Sequence, residues 1–445
     1  MDTMRDGQES HAEPAGTPAS DKTGHLAAAA GLGLTKHTAQ TYLPHDQTAE
    51  VALCLSGGGF RAALFHLGAL RRLRELGVLP RIDTISCVSG GSILAAHLFA
   101  ALPDWSEQGI AALDWDRQVA GPFKEFTSRN LRSWPLLKYL LPPSNLWRPA
   151  RIVDTLAARY DMGLGLQGRT LEDLPTRPKF LFCATDMTFG DHWVFEKSGM
   201  GDAEAGYVLS GPPRPIAQAA ATSSCFPPAF GPVSLQLDPD TVSQGTYDKP
   251  DRRTLLRNIH LTDGGVVDNL GVERVWEHAG DLLVSDGGAT FQFGWRPDFF
   301  WRLLRYTSIA DSRGTIVRKR WLIANLTSGL MRGAYWGIAS AAADYEPTGA
   351  AADPANTYDG RLVQERICSV RTDLDAFTAA EIAVLENHGY IMAEVAANKY
   401  ATHSMASPRA PFAVPNPAWM DGQKVDRALR DSSKRTLLGH RFPSI

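Results

Sequence analysis

An α/β fold with a mainly parallel central sheet is what this 445-residue sequence predicts, and three observations carry the prediction. Short apolar runs recur at Val51–Leu55, Ile82–Val88, Lys179–Thr185, Asn258–Thr262 and Asp281–Ser285, each of buried-strand length. The first two run directly into glycine turns, Ser56-Gly57-Gly58-Gly59 and Ser89-Gly90-Gly91. A helical pattern follows each turn. Strand, glycine turn and helix, repeated, is the order that builds parallel sheets with helical crossovers.

The elements follow in order. Residues 1–48 read as a polar leader with nothing to bury. A domain of residues 49–400 follows, its motif-bearing core at 51–289. After the first strand, a helix from about Phe60 to Leu76 places Leu64, Leu67, Leu70 and Leu73 on one stripe, and Gly77 stops it. A second helix runs from about Ser92 to Leu102, and helical stretches are expected near Pro215–Ser224 and Gly271–Ala279. Residues 104–150 and about 290–360 are rich in Trp, Phe and Arg with little strand character, and read as insertions or a cap over the sheet edge. Phe377–Lys399 reads as a long amphipathic helix with Asp375 or Thr378 as its N-cap. Residues 401–445 are proline-punctuated and read as a tail along the surface.

Composition excludes several classes. The apolar fraction is 44%, ordinary for a globular chain, and the formal charge of -3 provides no field for nucleic acid. The five cysteines show no CxxC spacing, and Cys54, Cys87 and Cys183 fall inside strand-like runs. Such positions suit free thiols in a reducing, cytoplasmic compartment. No basic start with an apolar run marks a signal peptide, and no stretch of about 20 apolar residues marks a membrane span. The expectation is a soluble or peripheral protein.

The two glycine turns carry the chemistry. Gly57, Gly58 and Gly59 let the backbone turn its N–H groups toward one point at a helix N-terminus, a nest for negative charge. Cys87-Val88-Ser89-Gly90-Gly91 approaches the nucleophile elbow, in which a serine stands on a tight strand-to-helix turn. The elbow's first glycine is replaced by the small Cys87. Taken alone, either turn is more often only a turn; together, on neighbouring strands, they provide a nucleophile and an oxyanion hole. The GxGxxG spacing of dinucleotide-binding turns is absent, as is the Gly-Lys-Ser/Thr of a P-loop. For a base the sequence offers two strand-end carboxylates before glycine pairs, Asp263-Gly264-Gly265 and Asp286-Gly287-Gly288, which composition does not separate.

With these residues assembled, the chain resembles the patatin-like phospholipase family. Gly57-Gly58-Gly59-Phe60-Arg61, the Ser89 elbow and Asp263-Gly264-Gly265 correspond, in order, to that family's signatures, over about Val51 to Ala289. Supporting segments are similar too, at Phe182–Asp186 and Ala220–Pro228. The resemblance implies a three-layer α/β/α fold with a mainly parallel sheet plus helical and aromatic-rich insertions. It implies a serine hydrolase for lipid acyl esters that works through a Ser-Asp dyad, with no cofactor. Ser89 would be the nucleophile, Asp263 the base, and Gly57, Gly58 and Gly59 the oxyanion donors, with Gly90 supporting the elbow. The flank Val266-Val267-Asp268-Asn269 favours Asp263 over Asp286 by the same resemblance. Arg61 has two readings, a positive charge near the oxyanion loop or a brace of that loop through a carboxylate.

Two other readings compete. A Ser-Asp-His triad would draw on His388, although that residue sits inside a helical pattern. A non-catalytic lipid-binding module would not need Ser89, Asp263 and Gly57–Gly59 all intact. His66 and His97 read as packing residues, and no cluster has metal-ligand spacing, so no metal is expected. The partner expected is a lipid or acyl ester. The segment Phe291, Phe293, Trp295, Phe299, Phe300 and Trp301, interleaved with Arg296, Arg302 and Arg305, reads equally as a membrane interface or as a packed cap helix.

Overall fold

Strand β1 (Val51–Leu55) lies between two parallel neighbours, which is why its five residues are all apolar and all buried. The computed structural model describes residues 50–131, 150–209, 211–227, 230–288, 299–406, 410–434, 436–437 and 440–441, all within one unit, Pro44–Ile445. The leader 1–48 lies outside the described residues, as do Phe291, Phe293, Trp295 and Arg296 and the side chains of Phe299, Phe300, Trp301 and Arg302.

After β1 come α1 (Gly59–Glu75), β2 (Thr84–Val88) and α2 (Gly90–Ala101), each within two residues of its expected bounds. Helix α3 (Ala150–Gly163) leads to β3 (Lys179–Asp186), β4 (Asp191–Glu196), β5 (Gly199–Asp202) and β6 (Gly206–Val208). Next are α4 (Ile216–Ser223), β7 (Val233–Leu235), β8 (Val242–Ser243), β9 (Ile259–Asp263) and β10 (Asp281–Asp286). The chain continues through α5 (Phe299–Ser328), β11 (Arg332–Gly337), α6 (Ala379–Tyr400) and α7 (Gly422–Leu429).

The strands form one sheet in the order β11-β10-β1-β2-β3-β4-β5-β6-β8, with β9 paired to β3 and β7. The expected parallel arrangement holds from β11 to β3. Beyond β3 every pairing is antiparallel, so the sheet is mixed. The reason is local: Met187–Gly190 is too short for a crossover, and a turn of that length only returns the chain antiparallel.

Alternation along the strands makes three layers. Leu53, Leu55, Ile85, Cys87 and Leu283 face one apolar cluster with α1, α2, α4 and α6. Ala52, Cys54, Val88, Leu282 and Val284 face the other, with residues 270–279 and Leu322 of α5.

Three expectations are corrected. Gly271–Ala279 is a run of turns rather than a helix: Gly271 has φ 72°, and Asp268 takes the N–H groups of Leu270 and Glu273 before a helix can start. The aromatic-rich segment hides an edge strand, β11, whose Arg-Gly-Ala-Tyr-Trp-Gly composition lacks β-branched residues. Glycine at 333 is required there, because a Cβ would collide with the Leu282 carbonyl of β10. Helix α6, capped by Thr378 in a reciprocal capping box with Glu381, is buried from Glu381 to Ala397 rather than amphipathic.

Candidate active site

Ser89 stands between β2 and α2 with φ 50° and ψ −112°, a conformation that non-glycine residues rarely adopt. The surroundings fix this strain. The Ser89 N–H donates to Ser223 Oγ at 3.0 Å, and the Ser89 carbonyl accepts from Ile93 at 3.1 Å. Gly90 and Gly91 are needed because a Cβ at either would overlap backbone, the Gly59 carbonyl for one and the Leu55 carbonyl for the other. Cys87, at the elbow's usual first glycine, is an ordinary buried strand residue whose Sγ donates to the Leu181 carbonyl.

The glycine loop lies against this elbow. A Cβ on Gly57 would sit 3.1 Å from Ser89 Cβ. Gly58 (φ 138°) and Gly59 (φ 58°) occupy positive φ at the entry to α1, and their Cα positions are crowded by the carbonyls of Gly287 and Asp373. Gly57 departs from its expected part: its N–H is committed to the Asn269 carbonyl at 2.9 Å. Among the described residues the N–H groups of Gly58 and Gly59 meet no hydrogen-bond acceptor, and they open the N-terminus of a 17-residue helix.

Arg61 is a brace, and it works through carbonyls rather than a carboxylate. Its buried guanidinium donates to Gly287 O at 3.0 Å, Cys368 O at 3.0 Å and Val370 O at 2.9 Å. It thus holds the Gly287 carbonyl against Gly58, and burial lowers its pKa to about 10. His66, which sequence reasoning took for packing alone, also pins the loop. It bridges the Ser56 carbonyl (3.0 Å) and Ser285 Oγ (2.7 Å), and burial lowers its pKa to about 4, so it is neutral. The carbonyl accepts only, which places the ring proton on Nε2.

Strand register brings Asp263 to the same place. β2 pairs with β3 up to Val88↔Cys183. β9 pairs with β3 in the opposite direction and ends at Asp263↔Ala184, the next register position. The two strands therefore meet end to end along β3, one delivering Ser89 and the other Asp263. A Cβ on Gly264 would lie 3.2 Å from Val88 Cγ1, which marks how closely they meet. Asp263 is buried, and its Oδ1 accepts from the Gly265 N–H at 2.8 Å, which orients the carboxylate.

Asp286 is differently placed. Its strand, β10, is separated from β2 by β1. Its Oδ1 accepts from Gly288 N–H at 2.9 Å, and its Oδ2 accepts from Tyr335 Oη at 2.7 Å and pairs with Lys319. Burial pushes its pKa up, but Lys319 and the hydrogen bonds prevail and hold it below the usual carboxylate range.

Two contributors escaped the sequence reading. Asn269 accepts from Gly57, and its carboxamide fills the space left by the missing side chains of Gly57, Gly265 and Gly288. Ser223 accepts from the Ser89 N–H and shares a 2.8 Å hydrogen bond with Ser92 Oγ, while donating to Cys183 O at 2.5 Å. It ties the elbow to the β3 residue beside Asp263. The only sequence signal for it was its place in the Ala220–Pro228 segment. Ser223→Ala strands a buried N–H and a buried carbonyl, which costs about 1–3 kcal/mol. With Ser89 as the nucleophile proposed below, the same loss should slow its acylation by about 10–100-fold at nearly unchanged KM, measured by pre-steady-state ester hydrolysis.

Three other histidines are occupied elsewhere. His388 donates through Nε2 to the Ile338 carbonyl at 2.9 Å, lies tilted against the Phe65 ring at 5.5 Å between centroids, and is lowered by burial to a pKa of about 4. His97 is held by the carbonyls of Val119 and Leu164, and His260 by Asn258. Among the described residues, no three His, Cys, Asp or Glu side chains converge as a metal site. The constellation provides a strained serine, a buried carboxylate on the adjoining strand end, and N–H groups at a helix N-terminus. Such a set is suited to acyl transfer.

A family model described as patatin-like phospholipase matches residues 53–276 of the chain. Cytosolic phospholipase A2 zeta of Mus musculus is 32% identical over 112 residues, 23% of this chain and 13% of that protein. Cytosolic phospholipase A2 beta of Homo sapiens is 36% identical over 69 residues, 16% of this chain and 9% of that protein. The chain thus matches only a small part of the length of these relatives. Among solved structures, human GIVD cytosolic phospholipase A2 aligns with a TM-score of 0.43 and 15% identity, covering 92% of this chain and 63% of that one.

Proposed function

The chain belongs to the patatin-like phospholipase family, and from that premise we propose that it hydrolyses carboxylic esters of lipids through Ser89 and Asp263. The observation that carries this reading is the end-to-end meeting of β2 and β9 on β3, beside the two N–H groups of Gly58 and Gly59.

In the proposed reaction Asp263 accepts the Ser89 hydroxyl proton as the oxygen attacks the ester carbonyl. The tetrahedral oxyanion accepts hydrogen bonds from Gly58 and Gly59, each worth about 3–4 kcal/mol of barrier height. Asp263 returns the proton to the departing alcohol, leaving an acyl-Ser89 ester. Water then repeats the sequence, giving up its proton to Asp263, and the free acid leaves. Asn269 supports this role for Gly58 and Gly59 by fixing Gly57, and Arg61 and His66 hold the loop from behind. The five buried free thiols suit a reducing compartment such as the cytoplasm.

Hydrolysis of a short acyl-nitrophenyl ester and of a phospholipid tests the reading. Wild type should turn over both, Ser89→Ala should abolish turnover, and His388→Ala should retain it in the fraction that folds. Loss of activity in a folded His388→Ala protein would favour the triad instead. An inactive wild type would favour a lipid-binding module.

A further inference from the structure

Helix α5 is much longer than the sheet it crosses, and its level against the sheet is set by named contacts. Lys319 pairs with Asp286 at the C-terminal end of β10, and Arg318 bonds Glu273 at 2.7 Å. Below that level Trp321 meets Trp276 edge-on and Leu322 is buried. The chain enters α5 after the C-terminal end of β10 and leaves it for parallel β11, so α5 runs opposite to the strands. Residues 299–318 therefore stand beyond the C-terminal edge of the sheet, by about 30 Å at 1.5 Å per residue. That edge is the one where β2 ends at Ser89.

The protruding helix exposes an unusual stripe. Tyr306, Ile309, Arg313, Val317 and Arg320 succeed one another at spacings of three and four, and all are exposed. Tyr306 and Val317 are each 64% exposed, where a helix covered by its own protein would bury such residues. The stripe continues into an apolar groove of about 580 Å³ lined by Arg320, Ile323, Ala324, Thr327 and Tyr335. Charge is segregated as well. The helix holds six basic residues, of which Arg318 and Lys319 pair with Glu273 and Asp286, against the single acidic Asp311, in a chain whose formal charge is -3. The same edge exposes Phe226 and Val266, which flank Asp263 in the fold.

We infer that the exposed stripe of α5 is a docking surface for an anionic lipid bilayer, which brings the Ser89 edge down onto its substrate. Apolar side chains alternating with arginines suit the acyl boundary and the negative headgroups respectively. The inference rests on the hydrolase reading for its purpose, but binding is measurable without turnover.

The test uses the full chain with Ser89→Ala, sedimented with phosphatidylcholine vesicles with and without phosphatidylglycerol. Binding should be tighter on the anionic vesicles and weaken as salt rises. Ile309→Glu with Val317→Glu, and separately Arg313→Glu with Arg320→Glu, should each weaken it by about tenfold or more. The same pairs in the Ser89-intact chain should hydrolyse a soluble nitrophenyl ester at the wild-type rate. Undiminished vesicle binding by both pairs overturns the inference. So does a dimer, seen by light scattering, that the same substitutions dissolve, because the stripe would then cover a second copy. Vesicle binding that depends on the stripe in a chain without esterase activity keeps the docking surface and removes the hydrolase reading.

Discussion

Asp263→Asn is expected to lower ester turnover by about 10²–10⁴-fold, the contribution of a well-placed general base, while the protein stays folded. Asparagine keeps the shape of the side chain and an oxygen to accept from Gly265, so the turn after β9 survives. What it loses is the capacity to take the Ser89 proton. Because the substitution removes an interaction of the transition state, kcat should fall with KM little changed. Asp286→Asn distinguishes the two Asp-Gly-Gly sites. It leaves Lys319 without its partner carboxylate and should weaken the β10–β11–α5 contact, which reads out as a lower denaturation midpoint. Its effect on kcat should be small beside that of Asp263→Asn. Steady-state kinetics and urea denaturation on both variants separate these outcomes, and near-normal turnover by folded Asp263→Asn would end the dyad assignment.

Gly389→Val is expected to destabilise the protein by about 3 kcal/mol or more. Helices α1 and α6 cross where both are stripped to backbone. A Cβ at Gly68 would fall inside contact distance of the Glu386 carbonyl, and one at Gly389 inside that of Phe65. Neither neighbour is a flexible side chain, so the helices must separate to admit a valine. Separation uncovers a core that includes Leu64, Phe65, Leu385 and Met392. The consequence for function follows from position, since α1 begins at the glycine loop and any shift in its axis moves Gly58 and Gly59. The expected observation is a large drop in the urea midpoint, with Ser89 reactivity falling in parallel. An unfolding free energy within about 0.5 kcal/mol of wild type, the range of an ordinary surface substitution, would show that the crossing tolerates added bulk.

Much of the candidate site was legible because it is written locally. Ser56–Arg61, Cys87–Gly91 and Asp263–Gly265 each combine a strand end with glycines whose necessity follows from nearby backbone. The periodicities of α1 and of the capped α6 are likewise local. What escaped depends on partners remote in sequence. That β9 meets β2 end to end on β3 is a matter of register, which no single strand encodes. Gly57 loses its N–H to a residue 212 positions away, and Arg61 finds its acceptors at Gly287, Cys368 and Val370. Composition could not separate Asp263 from Asp286, because the difference between them lies in Lys319 and Tyr335. β11 was missed because its pairing with β10, rather than its own residue preferences, makes it a strand.

The proposed chemistry begins at one serine, and a fluorophosphonate probe tests that residue most directly. Such a probe forms a covalent adduct only with a hydroxyl that is activated beside an oxyanion site, so peptide mapping of the labelled protein reports the nucleophile. Ser56, Ser92 and Ser223 all lie close by and serve as internal controls. The expected result is an adduct on Ser89 alone, absent in Ser89→Ala and formed far more slowly in Asp263→Asn. An adduct on Ser56, Ser92 or Ser223, or a folded wild-type protein that takes up no label, would contradict it.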